Sequence, residues 1–127
     1  MCPCGSTLDD DACCARYHRG EPAPTAEALM RSRYTAYVRG EIDYLVETHD
    51  PATRQSIDRD AIAAWSRETE WLGLEIVATE YGGANDARGV VEFVARGSTT
   101  GKPFQQRERS RFRKLNGRWV YIDGKMR

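Results

Sequence analysis

The chain has 127 residues, which bounds it to one ordinary domain with a small appendage. Its 40% hydrophobic and 30% charged content is that of a soluble globular chain, which excludes a disordered or collagen-like polymer, and no apolar run approaches the ~18–20 residues of a membrane span. A net charge of zero hides a polarity: Lys102 to Arg127 holds nine basic and two acidic residues, and the first 101 residues hold ten basic and seventeen acidic. Such polarity favours an oriented encounter with an anionic partner or with a second copy of the chain.

All four cysteines fall in the first fourteen residues, as Cys2, Cys4, Cys13 and Cys14. Four thiolates so close together make a tetrahedral site for zinc, which prefers sulfur. Pro3 limits the backbone between the first two ligands, and Gly5 permits a tight turn that can aim N–H groups at the thiolates. Asp9, Asp10 and Asp11 read as a solvated turn or helix start. A disulfide knot is the alternative, suited to a secreted protein, but Met1-Cys2-Pro3 opens the chain with no apolar leader. The expectation is therefore Zn2+ in a cytoplasmic protein. Four protein ligands leave no open coordination position, so the site is structural or recognitional. His18, four residues further on, is a spare ligand at most. The pattern Cys2-Pro3-Cys4-Gly5-Ser6 with Cys13-Cys14 resembles the SEC-C motif, a zinc knuckle found in many bacterial proteins. The run of aspartates is acidic where that motif tends to be basic, and no second cysteine cluster occurs toward Arg127.

Residues 20–24, Gly-Glu-Pro-Ala-Pro, predict a semi-rigid linker between a knuckle over 1–19 and a domain over 25–127. Thr25 is a good N-cap. Met30, Tyr34, Tyr37 and Val38 then mark one helical face, which Gly40 ends. A second short helix runs from Glu41 to about Thr48, burying Ile42, Leu45 and Val46, and Asp50-Pro51 ends it. Ser56 is the expected cap of a third helix near 57–69, with Ile57, Ile62 and Trp65 inward.

Strands follow. Leu72, Leu74, Ile76 and Ala78 alternate between Trp71 and Glu80. A turn at residues 82–86 leads to a strand over Val90–Ala95, and residues 99–103 form the next turn. Phe104–Leu115 and Arg118–Ile122 flank Asn116-Gly117, a strong two-residue hairpin signal. The class is α+β: three helices packed on a curved antiparallel four-strand sheet.

This order resembles the NTF2-like (cystatin-like) superfamily. The knuckle, the helix Met30-Arg31-Ser32-Arg33-Tyr34-Thr35-Ala36-Tyr37, the Asp43-Tyr44-Leu45 and Thr48-His49 segments, and the Arg109-Ser110-Arg111-Phe112 and Gly117-Arg118-Trp119-Val120-Tyr121-Ile122-Asp123-Gly124 strands together resemble the YchJ-like family. That resemblance implies an NTF2-like domain with a cone-shaped pocket between helices and sheet, and commonly pairing through the outer sheet face.

The Asn116-Gly117 turn pairs Leu115 with Arg118, Lys114 with Trp119, Arg113 with Val120 and Phe112 with Tyr121. Alternation then puts Glu108, Ser110, Phe112, Trp119 and Tyr121 on the inner face, and Arg107, Arg109, Arg111 and Arg113 on the outer. A carboxylate on an apolar face needs a partner, and Arg31 or Arg33, Tyr34 and His49 are the candidates. Tyr34, His49, Glu108, Ser110, Phe112, Trp119 and Tyr121 thus form the candidate pocket. The four arginines are a candidate anion site for phosphate backbones or an acidic protein. Against that, Glu75 or Glu92 on neighbouring strands can neutralise them, and no aromatic interleaves to stack bases. With no nucleophile–base pair or phosphate loop, the leading expectation is an adaptor whose zinc knuckle meets a protein partner. The alternatives are a small ligand or chemistry in the pocket, and nucleic acid on the arginine strand.

Overall fold

The computed structural model describes residues 1–126, so Arg127, the last residue of the expected domain, lies outside the described residues. A 3-10 turn at Asp10–Ala12 leads into α1 (Cys14–His18), α2 (Ala26–Arg39) and α3 (Ile42–Glu47). A second 3-10 turn at Arg54–Ser56 precedes α4 (Arg59–Glu68). Then come β1 (Thr69–Tyr81), β2 (Arg88–Thr99), β3 (Lys102–Leu115) and β4 (Arg118–Met126). The strands form one antiparallel meander in the order β1-β2-β3-β4. The α+β class expected from the pattern is what the chain adopts. Among the described residues no helix is long and apolar enough to cross a membrane.

Local chemistry sets the helix ends. Thr25 accepts a hydrogen bond from the Ala28 N–H at 3.0 Å, capping α2 and contributing about 1 kcal/mol. Gly40 ends α2 at φ 71°, a left-handed conformation that glycine adopts without strain. Helix α4 is capped by Asp58, which accepts from the Ala61 N–H, and not by Ser56 as expected. Ser56 is committed elsewhere, donating to the Thr53 carbonyl within the preceding turn.

The hairpins are tighter and the strands longer than expected. Thr100-Gly101 and Asn116-Gly117 are two-residue turns with positive φ at both positions, which matches the twist of the flanking strands. All four pairs expected beyond Asn116-Gly117 are present. A bulge at Ile122 then shifts the register, so Asp123 lies opposite Arg111.

The alternation expected along β1 fails at its start. A bulge between Trp71 and Gly73 turns Leu72 outward, 61% exposed, and sends Trp71 inward. There Trp71 meets Tyr34, Tyr37 and Trp65, with ring centroids 5.0–5.7 Å apart. The core is completed by Leu29 and Met30 of α2 against Val91 and Phe93 of β2, Phe112 of β3 and Trp119 of β4. Helix α2 lies close on the turn between β1 and β2. A Cβ on Gly89 would sit 2.6 Å from the Gly82 Cα, and the Ala26 N–H donates to the Gly82 carbonyl at 2.9 Å.

Candidate functional site

The four cysteine sulfurs lie within 4.8 Å of one another, and all four residues are buried. Cys4 and Cys13 sulfurs are 3.6 Å apart, and Cys13 and Cys14 sulfurs 3.9 Å. A tetrahedral ion with bonds of about 2.3 Å to sulfur needs sulfurs about 3.8 Å apart, so the cluster fits zinc. Gly5, at φ 90°, makes the tight turn, and the Ser6 N–H donates to the Cys4 sulfur. A hydrogen bond from the Cys14 thiol, with help from Ser6, holds Cys4 well below the usual thiol range, at about 4. The same bond and burial push Cys14 up. Metal binding to thiol ligands releases their protons.

The knuckle does not hang free. The Cys2 sulfur is 3.7 Å from the Thr35 hydroxyl of α2, and Arg31 donates to the Cys4 carbonyl at 2.8 Å. Leu74 of β1 packs against the four cysteines. Asp10, expected in a solvated turn or helix start, opens the 3-10 turn and pairs with Arg39 at 2.5 Å. His18 is no ligand: its Nε2 lies 2.8 Å from the Ser32 carbonyl, and its ring packs on Tyr44.

Between the helices and the sheet lies a cavity of about 340 Å³. Four of the seven expected pocket residues line it: Tyr34, His49, Glu108 and Tyr121. Ser110 and Phe112 are fully buried and do not line it, because β3 presses them against the core. Trp119 lines a separate cavity of about 270 Å³ beside Tyr17, His18 and Tyr44. The apolar walls include Trp65, Trp71, Phe93 and Ile62, and the exposed Asp58 and Ala61 mark the mouth. Ile57, Ile62 and Trp65 are therefore cavity wall, only partly buried.

The polar end of the cavity departs from expectation. Glu108 accepts from Tyr121 at 3.2 Å, Gln106 at 3.2 Å and Ser110 at 3.4 Å, and pairs with neither Arg31 nor Arg33. Arg33 is 6% exposed, and among the described residues it has no ion pair. Its Nη1 donates to the Leu45 carbonyl at 2.9 Å and the Thr48 hydroxyl at 2.6 Å, and its guanidinium sits 4.6 Å over the Tyr121 ring. Burial lowers its pKa from the ordinary value. Among the described residues His49 Nε2 is buried without a partner, and burial together with Arg33 lowers its pKa, which favours the neutral imidazole. From the sequence, Arg33 stands out only as a candidate partner of Glu108, alongside Arg31. Its place on α2, one residue before Tyr34 and four before the cavity-lining Tyr37, is the signal that could have placed it inside.

The outer arginine row is neutralised along its length. Arg107 donates to Glu92, Arg109 to Glu80, Arg111 to Asp123 and Arg113 to Asp50. Glu92 is a partner as anticipated, whereas Glu75 pairs with Arg96.

A four-cysteine knuckle on a helix-covered antiparallel sheet defines an NTF2-like protein with a SEC-C motif. The model of the YchJ middle NTF2-like domain matches residues 25–124, and the chain belongs to that family. It is similar to a SEC-C motif containing protein from Rhodopseudomonas palustris, at 41% identity and TM-score 0.88, over 98% of this chain and 96% of that one. It is also similar to a sec-c motif containing protein from Psychrobacter arcticus, at 35% identity and TM-score 0.83, over 97% of this chain and 80% of that one.

Proposed function

We propose that this protein binds a small molecule in the aromatic cavity, and that its four cysteines hold a zinc ion that clasps the N-terminal segment to α2. The observation that carries the reading is Arg33, a buried cation with no ion pair among the described residues, lining a largely apolar cavity of about 340 Å³. Burying an unpaired charge is costly unless something at the site repays it. Water is a poor occupant against walls of Trp65, Trp71 and Phe93. The volume lies at the small end of the range for ligand sites, about 300–1,000 Å³. A reducing cytoplasm is the compartment in which the thiolates stay available to zinc.

Native mass spectrometry of freshly purified, chelator-free protein tests this directly. One zinc and a retained organic adduct are expected. Zinc alone, with a melting temperature indifferent to a panel of aromatic fragments, would overturn the ligand reading.

The adaptor reading keeps one specific support. Leu8 is half exposed beside the exposed Asp9 and Asp11 on the knuckle's outer loop. The sulfurs themselves are buried, so a protein partner would meet that loop. Leu8→Asp should then abolish partner capture with the zinc content unchanged.

A further inference from the structure

We infer that the cavity takes a flat apolar molecule whose head is neutral and carries a hydrogen-bond acceptor beside a donor, as a primary carboxamide or lactam does. The inference rests on the cavity being a ligand site and names what that site reads.

Two opposite charges line the same cavity without touching. The protein hydrogen bonds of the Arg33 guanidinium both leave from Nη1. A guanidinium has five N–H donors, so Nε and Nη2 remain to meet a ligand acceptor. Glu108 takes two hydroxyl contacts on Oε1 and one amide contact on Oε2, and an ionised carboxylate has about four acceptor sites. One is left for a ligand donor. Tyr121 keeps the two groups apart, since its ring lies under Arg33 and its hydroxyl donates to Glu108.

This arrangement discriminates by charge. A carboxylate head gains Arg33 but is set against Glu108 in a poorly solvated space. An ammonium head gains Glu108 but is set against Arg33. Each leaves one of the cavity's two charges facing its own sign. A carboxamide offers its oxygen to Arg33 and its N–H to Glu108 and adds no net charge. His49 at the same end is neutral and does not upset the balance. The walls select the body: Tyr37, Trp65, Trp71 and Phe93 present aromatic faces and edges, suiting one or two fused rings in this volume.

The test uses the full zinc-loaded chain and three probes with one body: indole-3-acetamide, indole-3-acetate and tryptamine. Isothermal titration calorimetry at pH 7 should rank the amide at least about tenfold tighter than either charged probe. Equal affinities, or a charged probe binding tighter, would overturn the inference while leaving the cavity as a ligand site. Binding by none of the three would overturn the inference, and the ligand reading would then stand or fall on the adduct retained in native mass spectrometry. Glu108→Gln is nearly isosteric at a half-buried position, so the fold should persist. In that variant the acetate should gain at least about fivefold on the amide, because the opposing charge is gone. An unchanged ratio would show that Glu108 does not read the head.

Discussion

Asp50 and Arg113, 63 positions apart, meet through two parallel hydrogen bonds, Nε to Oδ2 at 2.6 Å and Nη2 to Oδ1 at 2.8 Å. Asp50 is 2% exposed and also accepts the Ala52 N–H at 2.9 Å. Its own N–H donates to the Tyr121 carbonyl at 2.8 Å. The pair thus ties the corner after α3 to the sheet and holds His49 beside Tyr121, where both line the cavity.

Breaking this tie should destabilise the fold. Asp50→Asn keeps the shape and removes the charge, and the melting temperature should fall by about 5–10 °C. The pair should also be visible in acid. Arg113 beside Asp50 holds its carboxyl below the usual carboxylate range. Its contribution is therefore complete above the unfolded pKa of about 3.9 and is lost as pH falls through the lower folded value. Denaturant melts of wild type and Asp50→Asn should differ at pH 6 and converge on the acid side. A constant difference down to pH 2 would contradict this.

The proposed zinc clasp predicts a divided response to metal removal. Chelation, or Cys4→Ser, should release one zinc per chain and lower the melting temperature by more than about 10 °C. The sheet should survive, because its core from Leu29 to Trp119 contains no cysteine. Metal content by mass spectrometry and strand content by circular dichroism measure the two halves. Complete unfolding of the zinc-free chain would show that the clasp is part of the core.

The neutralised arginine row predicts weak nucleic-acid binding. Each arginine already has a carboxylate partner, so few free cations remain to displace counterions from a phosphate backbone. Fluorescence anisotropy with labelled single-stranded RNA should show no saturation at about 0.15 M salt. Micromolar affinity with a steep salt slope, lost in Arg107→Ala with Arg109→Ala, would revive that surface.

Ala61 stands exposed at the mouth of the cavity on α4. Ala61→Trp should leave the melting temperature within a few degrees, since an exposed helical site tolerates the change. It should reduce binding of any cavity ligand at least about tenfold by occupying the entrance. Unchanged binding would place the ligand elsewhere.

Several features were legible before the structure because each rests on neighbours in the chain. Cys2, Cys4, Cys13 and Cys14 announce a metal cluster by proximity alone. Thr25 and Gly40 bracket α2 through single-residue preferences. Asn116-Gly117 defines a turn, and the turn fixes which residues oppose each other as far as Phe112 and Tyr121. Alternation failed where a strand stopped being regular. Leu72 turned out because the extra residue in β1 puts Trp71 on the same face as Leu74 and Ile76, and the extra residue Ile122 in β4 sets Asp123 opposite Arg111.

By itself, then, the sequence determined the cysteine cluster, the order of helices and strands, and the inward set Glu108, Ser110 and Phe112. Only the tertiary structure decided that Arg33 is buried with no ion pair among the described residues, that Asp50 meets Arg113, and that Trp65 and Trp71 wall a cavity. Local spacing sets the face a side chain occupies. Which partner it finds there depends on how α2, α3 and α4 settle across a bulged sheet, and those contacts join residues tens of positions apart.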